Sequence, residues 1–218
     1  VSEFEGNLSW GYNNATTPSW ASNTIPNGVG HVANFTANIT AAKTITLDGT
    51  RTVGKLVIAD SDSSHAYTLA AGTSGILTFD ATDPASAILS FPSNVADTIT
   101  APITLNDNLR AYTTSATAAI VKGINGIISG SGRSITFDND DGVTLADPVL
   151  TAGQFNMNGA NTFSGGVTID DVRVATTNAA GYGTGTVTVL DGGGVDAFGG
   201  DVRDGEGVED RLGVHLGA

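Results

Sequence analysis

The run Ile135-Thr136-Phe137-Asp138 decides the fold, because it returns along the chain in closely related form. Its copies are Ile45-Thr46-Leu47-Asp48, Leu77-Thr78-Phe79-Asp80, Ile103-Thr104-Leu105-Asn106, Val143-Thr144-Leu145-Ala146-Asp147, Val167-Thr168-Ile169-Asp170 and Val187-Thr188-Val189-Leu190-Asp191. Apolar residues alternate with Thr, the period-2 pattern of a half-buried strand. Asp or Asn closes each run with a side chain that bonds the backbone two residues on, the chemistry of a turn. The alternation predicts one continuous core lined by Ile45, Leu47, Leu77, Phe79, Ile103, Leu105, Ile135, Phe137, Val167, Ile169, Val187 and Val189. Thr46, Thr78, Thr104, Thr136, Thr168 and Thr188 are expected to face outward.

Weaker members fill the intervals: Lys55-Leu56-Val57-Ile58-Ala59-Asp60, Tyr67-Thr68-Leu69, Leu89-Ser90-Phe91, Gly126-Ile127-Ile128-Ser129 and Gln154-Phe155-Asn156-Met157. Strands thus recur roughly every 10 residues, a spacing that suits either an antiparallel β-sandwich or a parallel β-solenoid. Asn-Gly and Asp-Gly pairs would join sandwich strands in two-residue hairpins. Here Asp48-Gly49 and Asn158-Gly159 lead into polar segments, with no immediate return strand. The solenoid is the expected architecture and the sandwich the alternative.

Composition agrees with an all-β chain of one or two domains. Of 218 residues 29 are Gly, only 14% are charged, and Glu occurs only at Glu3, Glu5, Glu206 and Glu209. Straight-chain helix formers are scarce between those ends, which excludes a coiled coil. The net charge of −13 repels phosphate backbones and anionic lipid, so no nucleic-acid partner is expected. Cysteine is absent, which removes disulfides, thiolate metal sites and Cys nucleophiles together. No apolar stretch reaches the ~18 residues of a membrane span, and the chain starts at Val1 without a charged-then-apolar leader, as a processed chain or a fragment would.

Two linked segments carry a family resemblance. Phe155-Asn156-Met157-Asn158-Gly159-Ala160-Asn161-Thr162-Phe163-Ser164-Gly165-Gly166-Val167-Thr168-Ile169 is followed by Asn178-Ala179-Ala180-Gly181-Tyr182-Gly183-Thr184-Gly185-Thr186-Val187-Thr188-Val189. Together they resemble the autotransporter-associated β-strand repeat of bacterial surface proteins. The stretch from Trp10 through Ile25-Pro26-Asn27-Gly28 to Leu56 is similar to the leader region of such proteins. The resemblance spans roughly residues 10 to 195; the middle from Asp80 to Arg133 matches loosely, and the tail from Val195 departs from the repeat. It implies a right-handed parallel β-helix on or outside the bacterial cell, and says little about activity. The expected organisation is an N-terminal cap over 1–40, solenoid repeats over 41–195 and a Gly/Asp-rich tail or docking segment over 196–218.

Few residues remain for chemistry once strands and corners are accounted for. Asp138-Asn139-Asp140-Asp141-Gly142 is acidic enough for weak calcium binding by Asp138, Asp140 and Asp141. Its Gly stands at position 5 and Val149 at position 12, so the EF-hand pattern is not met. Asp60-Ser61-Asp62-Ser63-Ser64 reads as a solvated corner. Trp10, Tyr12 and Trp20 are the one aromatic cluster: exposed, they would stack on surface glycans; buried, they would cap the open end of the solenoid. His31, His65 and His215 lack metal-ligand spacing, and no Gly-x-Ser-x-Gly elbow is present. A lyase-like site would need Asp138, Asp140 or Asp141 opposite an Arg such as Arg110 or Arg173 from a neighbouring coil. The sequence therefore leads to a non-enzymatic, extracellular structural protein without a cofactor, whose partners are copies of itself in a homopolymer. A carbohydrate-binding or adhesin module is the alternative, and a polysaccharide lyase-like enzyme the third reading.

Overall fold

The alternation of apolar residue and Thr is realised as three sheets of stacked short strands around one core. The structure, a computed structural model, describes residues 2–3, 9–11, 20, 24–115, 119–139, 153–190, 192–197, 200–203 and 214–216. After β1 (Ser2–Glu3), the strands β2 (Val32–Phe35), β3 (Lys43–Leu47) and β4 (Thr50–Val53) form the first full coil. The second is β5 (Lys55–Ile58), β6 (Tyr67–Ala71) and β7 (Ile76–Phe79). The third is β8 (Ala87–Phe91), β9 (Thr98–Ile99) and β10 (Ile103–Leu105), and the fourth β11 (Leu109–Thr113), β12 (Val121–Ile124) and β13 (Ile128–Ser129). Three two-strand coils follow: β14 (Ile135–Asn139) with β15 (Gln154–Asn156), β16 (Val167–Ile169) with β17 (Arg173–Thr176), and β18 (Val187–Val189) with β19 (Gly194–Ala197). β20 (Gly200–Arg203) and β21 (Val214–Leu216) complete the described strands.

Each coil supplies one strand to a nine-stranded first wall and one to an eight-stranded second wall; the first four coils add one to a four-stranded third wall. Every pairing is parallel except that of β19 with β20, so the architecture is a parallel β-solenoid and the sandwich alternative falls. The described residues include no helix, and hence none long and apolar enough to cross a membrane.

Parallel register puts like on like. Along the first wall Ala33, Leu56, Leu89, Ala111, Phe137, Ile169 and Val189 follow one another inside, each opposite the next. All seven are buried, as are the twelve residues that alternation assigns to the core. Thr46, Thr104, Thr136, Thr168 and Thr188 lie partly exposed on the outer surface; Thr78, flanked by Thr52 and Thr104 in the third wall, is more covered at 8%.

Corners absorb the differences between coils. Val167 pairs with Val187 only 20 positions on, whereas Lys55 pairs with Ile88, 33 positions on. Beyond β13 the third wall has no strand among the described residues. Asn161–Ser164 runs there instead, with Thr162 N–H donating to the Ile128 carbonyl (2.8 Å) and Ser164 N–H to that of Gly130 (3.1 Å). Gly165-Gly166 turns this segment into β16: Gly166 has φ of 95°, and a Cβ on Gly165 would lie 2.4 Å from the Arg133 carbonyl carbon. Only glycine fits both demands.

The expected boundaries at 40/41 and 195/196 are not breaks in the ladder. β2 lies within the segment expected as a cap, yet pairs with β5 as a full coil member. The expected tail supplies β20 to the second wall and β21 to the first.

Candidate functional site

The least expected feature of the core is an ion pair inside it. Gly123 pairs with Thr98 and Ile124 with Ile99, so Lys122 stands opposite Asp97 one coil away, and both share the inward parity of the isoleucines. Both side chains are 0% exposed, and Lys122 Nζ lies 3.0 Å from Asp97 Oδ2. An ammonium has three protons to place. Nζ donates to the carbonyls of Ser93 (2.8 Å) and Val95 as well as to Asp97 Oδ2, and it stands 5.5 Å from the centre of the Phe91 ring, within cation–π range. The carboxylate is matched too: Tyr67 N–H donates to Oδ1 (2.9 Å) and Ser93 Oγ to Oδ2 (2.8 Å). Ser93 Oγ is also 3.5 Å from Nζ, so it touches both members of the pair. Burial pushes the Lys122 ammonium below its ordinary pKa, and the Asp97 charge opposes that shift without cancelling it. The centre forms because the corner between β8 and β9 turns its carbonyls inward where β12 delivers a long side chain.

The N-terminal aromatics are also interior. Trp10 and Trp20 are both 0% exposed, with ring centroids 5.6 Å apart; each packs on Phe35, at 5.1 and 5.4 Å. Their indole N–H groups are satisfied internally, Trp10 Nε1 by the Pro26 carbonyl (3.2 Å) and Trp20 Nε1 by the Trp10 carbonyl (2.9 Å). In this arrangement neither ring offers a face to a sugar. Tyr12 lies outside the described residues. Around the rings the first coil's edges are taken up: β1 pairs with β2, Trp10 N–H donates to the Thr46 carbonyl (2.9 Å), Gly28 N–H to the Thr52 carbonyl (2.8 Å), and Asn27 Oδ1 accepts from Thr52 N–H (2.9 Å).

Of the residues read as a weak calcium site, Asp138 lies on the outer face of β14 and Asp140 and Asp141 fall outside the described residues. Tyr112 is the register partner of Asp138 on β11, and Arg110, two residues before it, reaches across to grip Asp138 with two hydrogen bonds, Nε to Oδ2 at 2.6 Å and Nη2 to Oδ1 at 3.0 Å, while its guanidinium covers the Tyr112 ring at 4.6 Å. Arg173, the other basic residue considered for an acid–base site, pairs with Asp196. The described residues gather no group of three or more His, Asp or Glu fit to hold a metal ion. The Asp60 corner is internally saturated: its carboxylate accepts the N–H groups of Ile39 (3.0 Å), Ser64 (2.9 Å) and His65 (2.8 Å). Burial alone would raise the Asp60 carboxyl; those N–H bonds and the hydroxyl of Ser64, which donates at 3.0 Å, outweigh it and hold the group below the usual carboxylate range.

Lys122, Asp97 and Ser93 did not emerge as site residues from motif reading. The signal available was parity, because Lys122 is two residues before Ile124 and Asp97 two before Ile99, both inward positions in short strands. No family model, curated protein or solved structure matches this chain.

Proposed function

We propose that this chain is a non-enzymatic structural element of a bacterial surface, associating with its own copies into a fibre or surface layer through the ends of the solenoid. The observation that carries this reading is the ladder itself. Parallel coils repeat one hydrogen-bonding scheme from β1 to β21 in the first wall and from β3 to β19 in the second, where antiparallel β20 closes the order, and a strand added at a parallel edge continues that scheme. The two ends differ. At the first coil, edge groups of Thr46 and Thr52 are already engaged by residues 10, 27 and 28, so a joining copy must displace that cap. At the other, β20 stands last in the strand order of the second wall. Head-to-tail growth is then an exchange of the cap for the trailing strands of another copy.

A net charge of −13 opposes the approach of copies. Growth is therefore expected to strengthen as pH falls toward the pI near 4.2, or as salt screens the charge. Sedimentation velocity and electron microscopy of the full chain across concentration, pH and salt test the proposal. Concentration-dependent filaments or sheets support it, and a chain that stays monomeric under all these conditions refutes it.

A further inference from the structure

Lys122, Asp97 and Ser93 have the geometry of a reactive centre as well as of an ion pair. We propose that Lys122 Nζ and Asp97 Cγ condense to an intramolecular isopeptide bond, a covalent staple between two adjacent coils of a chain that has no cysteine.

Position favours the reaction. Nζ is 3.0 Å from Oδ2, which puts it in contact range of the carbon to which that oxygen is bonded. Holding an amine and a carboxyl at such range replaces a bimolecular encounter by an effective concentration on the order of 10⁵–10⁸ M. Environment favours it as well. Both charges are out of water, where an ion pair bears a desolvation cost that a neutral amide does not. The lowered Lys122 pKa assists the first proton transfer.

Each step has a group in place. The ammonium passes one proton to Asp97 Oδ2 along the 3.0 Å contact, leaving a neutral amine and a neutral acid. The carbonyls of Ser93 and Val95 hold the two remaining N–H bonds, so the freed lone pair faces the Asp97 carboxyl group, and a small rotation of that group turns Cγ toward it. It attacks that carbon, and the carbonyl electron pair moves to Oδ1, where Tyr67 N–H at 2.9 Å receives the negative charge. When the carbonyl at Oδ1 re-forms, the Cγ–Oδ2 bond breaks. A second proton passes from Nζ to the departing oxygen through the Ser93 hydroxyl, 3.5 Å from Nζ and 2.8 Å from Oδ2. Ammonium and carboxylate become amide and one water, with no oxidant, reductant or co-reactant. The surviving amide N–H keeps one of the two carbonyl acceptors.

Intact mass spectrometry of the denatured full chain, followed by proteolysis, tests the bond. The expected result is a mass lower than the sequence mass by one water, with a branched peptide that joins the segments containing Asp97 and Lys122. Lys122→Met should restore the sequence mass, and Ser93→Ala should raise the fraction of freshly synthesised chain that still has the sequence mass. A wild-type chain at its sequence mass with no branched peptide overturns the proposal and leaves a permanent ion pair. So does a water loss that persists in Lys122→Met and comes with no branched peptide in the wild type, because an Asp-Gly step such as Asp48-Gly49 loses water when it closes to a succinimide. The branched peptide is read on the wild-type chain alone, so the result stands even if Lys122→Met does not fold.

Discussion

Truncating Phe137 to Ala removes the largest side chain of the first wall's inner row. Its ring is fully buried between Ala111 and Ile169 on adjacent rungs and lies 4.9 Å from the Phe155 ring across the core. Burying a Phe withdraws roughly 150–250 Å² from water, about 4–6 kcal/mol at ~25 cal/mol per Å², of which an Ala methyl retains part. Ala111 is too small to fill the hole, and the hydrogen-bonded rungs on either side keep the walls from closing. The cost is therefore expected at about 3–5 kcal/mol. For a chain of this length that corresponds to roughly 6–20 °C in Tm, at about 2–4 °C per kcal/mol. Thr136→Ala, one residue away on the outer surface, should change stability by no more than about 0.5 kcal/mol. Circular dichroism reports the whole ladder during thermal or urea unfolding; tryptophan fluorescence reports only the first coil, where both indoles sit. Equal losses in the two variants would refute the alternation on which the fold rests.

Three further outcomes follow from particular contacts. Trp10 and Trp20 should emit at the blue edge of the tryptophan range and resist acrylamide, and Trp20→Ala should cost about 3–5 kcal/mol; red-shifted, readily quenched emission would contradict their burial. Because the Asp60 carboxyl is held below its unfolded value of 3.8, its stabilisation is fully present above about pH 4 and is lost as pH falls below that value. Urea unfolding between pH 5 and pH 2 should therefore show a shallower loss of stability in Asp60→Asn than in the wild type. Asn161→Ala should cost about 1–3 kcal/mol, because it leaves the buried Ile128 N–H (2.8 Å from Asn161 Oδ1) and the Gly181 carbonyl (2.5 Å from Nδ2) without a partner; an unchanged urea midpoint would show that water replaces the amide.

What alternation fixes is inside against outside, and there sequence reading was sufficient. The apolar residues that alternate with Thr in the Ile-Thr-Leu type runs with a described strand all lie in the core, whereas Leu190, which breaks the alternation before Asp191, is exposed. Alternation does not say which wall a strand joins. Ile45-Thr46-Leu47 belongs to the second wall, Leu77-Thr78-Phe79 and Ile103-Thr104-Leu105 to the third, and Ile135-Thr136-Phe137 to the first. Wall identity depends on corner lengths, and these vary too much to give a readable period. β4, β11, β12 and β17 are not legible as strands in the sequence because Arg51, Arg110, Lys122 and Arg173 interrupt their hydrophobic pattern. Two of these cations face outward, on Asp138 and Asp196, and a third, Lys122, is turned into the core. Charged side chains are almost always solvated, so residue type alone does not mark this pair as belonging to the core. The strand expected at Val143–Asp147 lies outside the described residues.

The unequal coil lengths have a mechanical consequence. Ladder hydrogen bonds between coils run along the axis of the rod, so a pull on its two ends loads them one coil at a time and peels the molecule from an end. Each detached coil releases its own contour: at most about 70 Å for the 20-position coil between Val167 and Val187, and about 110 Å for the 33-position coil between Lys55 and Ile88. Under tension the chain would lengthen in a staircase of uneven treads, and the order of the treads would tell from which end it was yielding.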